Sequence, residues 1–251
     1  MHAYLILVRR ELGSYFVAWT GYVVIAAVAF VIGLNFTVMI QGLNSEPISL
    51  SITELFFSQS VAFWLVLLMA SPIITMRLFA HEKQSGTFET LMTAPVSDRQ
   101  VVLAKFTGAV LFYGLMWLPL LGITLFLRHY VRESTALDAG ALVTSFAGIL
   151  LVGMMYMAIG CLASALTRSQ MIAAMVSFAI GFGFFLASYL VNSVPPQSGW
   201  LHVALGHINM LQHMEDFARG ILDSRAIAFY LSVTFAFLFL TLRVVESRRW
   251  K

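Results

Sequence analysis

The spacing of charge along the chain constrains its fold more than any other feature. No Asp, Glu, Lys or Arg falls between Glu11 and Glu46, Glu54 and Arg77, Lys105 and Arg128, Asp138 and Arg168, Arg168 and Glu215, or Arg225 and Arg243. Five of these gaps hold more than 20 residues and the last holds 17. A helix needs roughly 20 apolar residues to cross the hydrocarbon core of a bilayer, with a lower limit near 17. Six gaps predict six spans, at about 17–41, 57–79, 106–127, 140–166, 171–192 and 226–243. The runs are continuously apolar, which argues against a β-barrel, whose strands alternate. Composition agrees: 60% of residues are hydrophobic and 11% charged, where a soluble domain carries roughly 25% charged. The expectation is an all-α membrane protein, one transmembrane domain over residues 1–251.

The basic residues set its orientation. With the N-terminus inside, Arg9, Arg10, Arg77, Lys83, Arg99, Lys105, Arg168, Arg243, Arg248, Arg249 and Lys251 are inside, and Arg128, Arg132, Arg219 and Arg225 outside. That asymmetry follows the positive-inside rule and predicts cytoplasmic termini. The sequence pI of 9.2 is then a topology signal. No basic stripe with stacking aromatics points to nucleic acid.

Leu5, Val8, Leu12, Tyr15 and Trp19 recur at helical spacing around Arg9, Arg10 and Glu11. This suits a helix lying in the inner interface, or a cytoplasmic turn continuing into the first span. The first apolar run, about Phe16 to Ile40, exceeds the ~7–15 residues of a cleaved signal and reads as a retained helix. Pro72 predicts a kink in the second span, and Pro119 lies near the outer end of the third. Between the last two spans, Leu201 to Leu222 reads as one or two external amphipathic helices. Its polar face carries His202, Asn209, Gln212, His213, Asp216 and Arg219.

Several chemistries lack their residues. There is no phosphate-binding G-x-x-x-x-G-K-[ST] loop, no H-E-x-x-H and no G-x-S-x-G. No Asp, Glu, Lys or Arg lies within a predicted span, which argues against a self-powered carrier and an intramembrane acid–base enzyme. His207 and His213 stand six apart, off a common helical face, so no metal site is assigned. Cys161 lies in an apolar run and reads as a packing residue. Ala173, Ser177 and Gly181 form a stripe that lets another helix approach, from this chain or from a second subunit.

The polar segment Phe79 to Lys105, FAHEKQSGTFETLMTAPVSDRQVVLAK, is the most informative. It reads as a helix, a turn at Thr93-Ala94-Pro95 and the start of the third span, capped by Ser97-Asp98. Its stretch Glu82 to Val96, with Lys105, resembles the E-[RK]-x-x-G-T-x-E-x-L-x-T-x-P-[VI]…K pattern of permease subunits of type 2 ABC exporters. Lys83 stands where the family more often has Arg. Arg10-Glu11-Leu12-x-x-Tyr15-Phe16 is similar to the start of the branch associated with gliding motility and with copper accessory proteins for nitrous oxide reduction. The resemblance covers essentially the whole chain.

The resemblance implies a permease in a bacterial inner membrane, paired with a second permease subunit, identical or related, and embedded in membrane lipid. It implies a separate ATPase subunit that binds ATP, so that this chain holds no cofactor and no catalytic residue. The helix near Glu82 to Thr93 would be the coupling helix, with Glu82, Lys83, Gly86, Thr87, Glu89, Leu91 and Pro95 at the coupling site. Arg9, Arg10, Glu11, Tyr15 and Phe16 would belong to the interfacial helix. The function implied is export or force transmission driven by ATP hydrolysis. The alternatives are an intramembrane enzyme and a membrane scaffold that moves nothing.

Overall fold

The computed structural model describes residues 2–45, 61–88, 96–130, 139–191 and 206–248. Ten helices are distinguished here: α1 (His2–Val17), α2 (Trp19–Ser45), α3 (Val61–Thr75), α4 (Ala80–Ser85), α5 (Asp98–Met116), α6 (Leu118–Tyr130), α7 (Ala139–Leu166), α8 (Gln170–Val191), α9 (Met210–Ala218) and α10 (Ser224–Arg248). No strand occurs among the described residues. Six stretches are long and apolar enough to cross a membrane: Trp19–Val38, Val61–Ser85, Asp98–Phe126, Ala139–Leu166, Gln170–Val191 and Ser224–Ser247. The fold is that of an all-α membrane protein with six membrane-crossing helices.

α7 is the axis. It packs against α10, α8, α9, α3 and α5, and 72% of its most apolar stretch is buried, against 22% for α2, α8 and α10. Glycines make the packing close. A Cβ on Gly153 would lie 2.0 Å from the Tyr113 ring of α5, and one on Gly160 would lie 2.0 Å from Thr75 Oγ1 of α3. In the other direction Tyr156 reaches Gly181 of α8 and donates to its carbonyl at 3.0 Å. Apolar side chains gain little by leaving lipid for another helix, so close backbone approach carries helix association. The stripe of Ala173, Ser177 and Gly181 is buried within this chain.

Two helices differ from the expected spans. The third begins at Asp98, as the expected Ser97-Asp98 cap implies and eight residues before the span at 106, on a capping box: Ser97 Oγ accepts from Gln100 N and Gln100 Oε1 accepts from Ser97 N. It also breaks at Trp117. Pro119 has no N–H to offer Leu115, so the Trp117 N–H turns back to the Gly114 and Leu115 carbonyls and the chain restarts as α6. The second span does not run on to 79 as regular helix: α3, which contains Pro72, stops at Thr75 and a turn leads into α4.

Candidate functional site

The end of the bundle that carries α1 also carries α4, and there the polar residues gather. α1 lies along α5. Gly108 permits the approach, since a Cβ there would lie 2.9 Å from Glu11 Cβ. Tyr15 stacks on Phe112 with ring centroids 4.5 Å apart, and Tyr4 shares a 2.7 Å hydrogen bond with Thr107. The Tyr15 hydroxyl donates to the Ile74 carbonyl at 3.0 Å, and burial pushes its ionisation well above the ordinary tyrosine range.

These contacts place Glu11 at the centre of a four-charge cluster. Lys105 Nζ lies 3.0 Å from Glu11 Oε1 and 2.9 Å from Glu82 Oε1. One guanidinium nitrogen of Arg10 reaches the same two oxygens at 3.0 and 3.2 Å. Two carboxylates thus share two cations. Lys105 is only 2% exposed, and its ammonium lies 5.4 Å from the centre of the Phe79 ring. A lysine so deep needs anionic partners, because an unpaired buried ammonium costs several kcal/mol. The cluster therefore fixes α1, α4 and α5 together.

A second device holds α4 to the axis. Ser164 Oγ of α7 accepts from the Phe79 and Ala80 N–H groups at 2.9 and 3.0 Å and donates to the Met76 carbonyl at 3.1 Å. It satisfies main-chain groups that the break between α3 and α4 leaves free. Lys83 donates to the Ala165 carbonyl and lies over the Phe88 ring. Gln170, at the start of α8, bridges His81 and Gln84.

The residues expected at the coupling site divide into two sets. Glu82 and Lys83 turn inward, while Gly86 and Thr87 are exposed, as are Gln84 and Ser85. Glu89, Leu91 and Pro95 lie outside the described residues. The helix expected over Glu82 to Thr93 is interrupted: Gly86 adopts a left-handed conformation (φ 77°), ends α4, and helix resumes at Thr87. Of the interfacial-helix residues, Arg9 and Arg10 are exposed, Tyr15 and Phe16 half-buried, and Glu11 buried. Lys105 was legible only as the end of a pattern. Its signal is positional: a lone cation four residues from Val101 and four from Ala109, both buried.

The opposite end of α7 holds α9. Asn209 caps it by accepting from Gln212 N. Met210, Met214, Phe217 and Ala218 are fully buried. Thr144 Oγ1 donates to the Phe217 carbonyl at 2.6 Å, and Ser188 Oγ bridges the Ile208 carbonyl and Met210 N. Residues 201–205 of the expected external segment lie outside the described residues. Asn209 and His213, expected on a wet face, are buried instead. Helix α9 folds down onto α7 and α8, so its solvated arc is narrower than the sequence pattern suggests. Burial lowers the His213 imidazole from the ordinary 6.5; Asp223 opposes the shift and His207 adds to it. No group of three or more His, Cys, Asp or Glu gathers as for a metal ion among the described residues.

No curated protein matches the chain. The family described as "ABC-2 family transporter protein" matches residues 22–245. That interval runs from the first membrane-crossing helix almost to the end of the sixth, and encloses α4, Lys105 and α9. The chain therefore belongs to the ABC-2 transporter family, as a multi-pass membrane permease of an ABC transporter.

Proposed function

We propose that residues 1–251 form a single permease domain that draws its energy from a separate ATPase subunit. That subunit docks on the exposed side of α4 and on the segment running to Pro95. The observation that carries this reading is the cluster of Arg10, Glu11, Glu82 and Lys105. Through it, and through Ser164, a push on α4 reaches α1, α5 and α7 together. Ser85, Gly86 and Thr87 are exposed toward a partner, as is Gln84 beside its bond to Gln170, and the family resemblance adds Glu89, Leu91 and Pro95 to the dock. Glu82 and Lys83 act from behind it, as the grip on the rest of the bundle. Arg9, Arg10, Glu11, Tyr15 and Phe16 make α1 the interfacial helix that moves with α4.

ATP is held by the ATPase, and no residue here is catalytic. A second permease subunit, identical or related, completes the complex, and the work performed is export or force transmission. The end carrying α1, α4 and the end of α10 faces the cytoplasm of a bacterial cell, in keeping with its basic residues. The Arg10 to Phe16 motif supports kinship with the gliding-motility and copper-accessory branch.

The test separates docking from transmission. The chain is expressed with the ATPase that co-purifies with it, and hydrolysis is measured in vesicles. Gln84→Arg with Thr87→Arg is expected to abolish ATPase retention. Glu82→Gln is expected to keep retention but to remove the dependence of hydrolysis on the permease. Full retention by the double variant would remove α4 as the dock, and unchanged hydrolysis in Glu82→Gln would remove the cluster as the grip.

A further inference from the structure

A cleft of about 690 Å³ opens between α1, the turn from α3 to α4, and α5, lined among others by Arg10, Glu11, Arg77, His81, Glu82 and Lys105. Its volume falls within the roughly 300–1,000 Å³ of small-molecule sites. We propose that it binds the phosphate of an anionic phospholipid headgroup. Three observations carry this.

The first is charge. Arg10, Lys105, Glu11 and Glu82 neutralise one another within the cluster. Arg77 is the surplus cation. Among the described residues its hydrogen-bond partner is a hydroxyl, Thr20 Oγ1 at 2.8 Å. A guanidinium offers five N–H donors in a planar fork that fits a phosphate.

The second is the lip. Ala18 lines the cleft, and its neighbours Val17 and Trp19 are 88% and 86% exposed. Large apolar groups so bare belong in lipid, and tryptophan settles at headgroup depth. A phosphate at Arg77 thus has a place for its acyl chains alongside. An acidic protein segment or a free anion makes no use of this lip.

The third is position. The rest of α1 also presents bare apolar groups, Leu5 and Ile6, 61% and 67% exposed, as a helix lying in the interface does. The cleft then opens at headgroup level, where basic pockets between membrane helices select anionic lipids. The assignment holds whether or not an ATPase docks on α4.

The test uses the purified chain in detergent, with native mass spectrometry during titration with phosphatidylglycerol or phosphatidylcholine. Wild-type protein is expected to retain one phosphatidylglycerol in preference to phosphatidylcholine. Arg77→Gln is expected to weaken that retention about tenfold, the scale of one charge-assisted contact. Arg77→Lys falls between, and Arg219→Gln at the opposite end changes nothing. Should Arg77→Gln not fold, Thr20→Val, which frees the Arg77 side chain, is expected to lower retention several-fold. The assignment is overturned by equal retention in Arg77→Gln (or in Thr20→Val, where that is used) and wild type, or by equal retention of the two lipids. It is overturned too if inorganic phosphate, or an acidic peptide, binds lipid-free protein through Arg77 and displaces phosphatidylglycerol.

Discussion

Replacing Lys105 with Met probes the four-charge cluster directly. Methionine keeps an unbranched stem of similar length against Phe79 and removes only the ammonium. Glu11 and Glu82 are then left facing each other, with side-chain exposures of 11% and 16%. Breaking a buried ion pair from one side costs about 3–5 kcal/mol. Arg10 still touches both carboxylates, but its side chain is 53% exposed, and a partner so solvated returns only about 0.2–1 kcal/mol. The net loss is therefore about 2–5 kcal/mol. It can be measured by detergent-driven unfolding in mixed micelles, followed by tryptophan fluorescence from the chain's five tryptophans. The triple variant Lys105→Met, Glu11→Gln, Glu82→Gln is expected to recover most of the loss, because neutral groups of similar shape tolerate the same burial. A single variant within about 0.5 kcal/mol of wild type, the range of ordinary surface changes, would refute the reasoning. So would a triple variant no more stable than the single.

Three further outcomes are expected. Gly160→Ala should lower the thermal midpoint, with an overpacking cost of about 1–3 kcal/mol against the buried Thr75, while Gly183→Ala, which meets nothing within 4 Å, should not. Ser164→Ala strips two main-chain N–H groups of their acceptor, at about 1–3 kcal/mol each, and hydrogen exchange should quicken at Phe79 and Ala80 and not in α10. For His213, burial holds the folded imidazole below 6.5, so the unfolded chain binds the proton more readily. Stability is then fully present above about pH 6.5 and falls as pH drops from there toward the folded value; exchange in Met210–Ala218 should accelerate over that interval in wild type and far less in His213→Gln.

What the sequence made legible was governed by solvent. Uncharged runs long enough to span a bilayer have one stable solution, so the six helices could be read without any contact. The cap at Ser97-Asp98 was readable from local chemistry, but the reciprocal bond from Gln100 was not, and a helix starting at Asp98 brought Lys105 inside it. The break at Trp117 was not read: Pro119 was placed only near the outer end of the span, and the return of the Trp117 N–H to the Gly114 carbonyl requires the folded backbone. Ser164 gave no signal at all. It is one serine in an apolar run, and its role depends on two N–H groups more than 80 residues away in sequence. Asn209 and His213 were misplaced because periodicity shows that a helix has two faces and not how wide a neighbour's footprint is. Glu82 looked like a surface contact because nothing local reveals that Arg10 and Lys105 wait behind it.

The glycines of α7 also limit how the bundle can move. Three slots at different heights receive three different neighbours: Phe217 at Gly148, Tyr113 at Gly153 and Thr75 at Gly160. At Tyr156 the helix instead pushes a ring into α8. A rod keyed in this way cannot turn about its own length without driving a ring or a side-chain oxygen into main chain. α7 is thus a fixed mast, and mobility falls to the helix it does not clasp. α2, whose main contacts are to α1, α3 and α5, is the one free to tilt beside it.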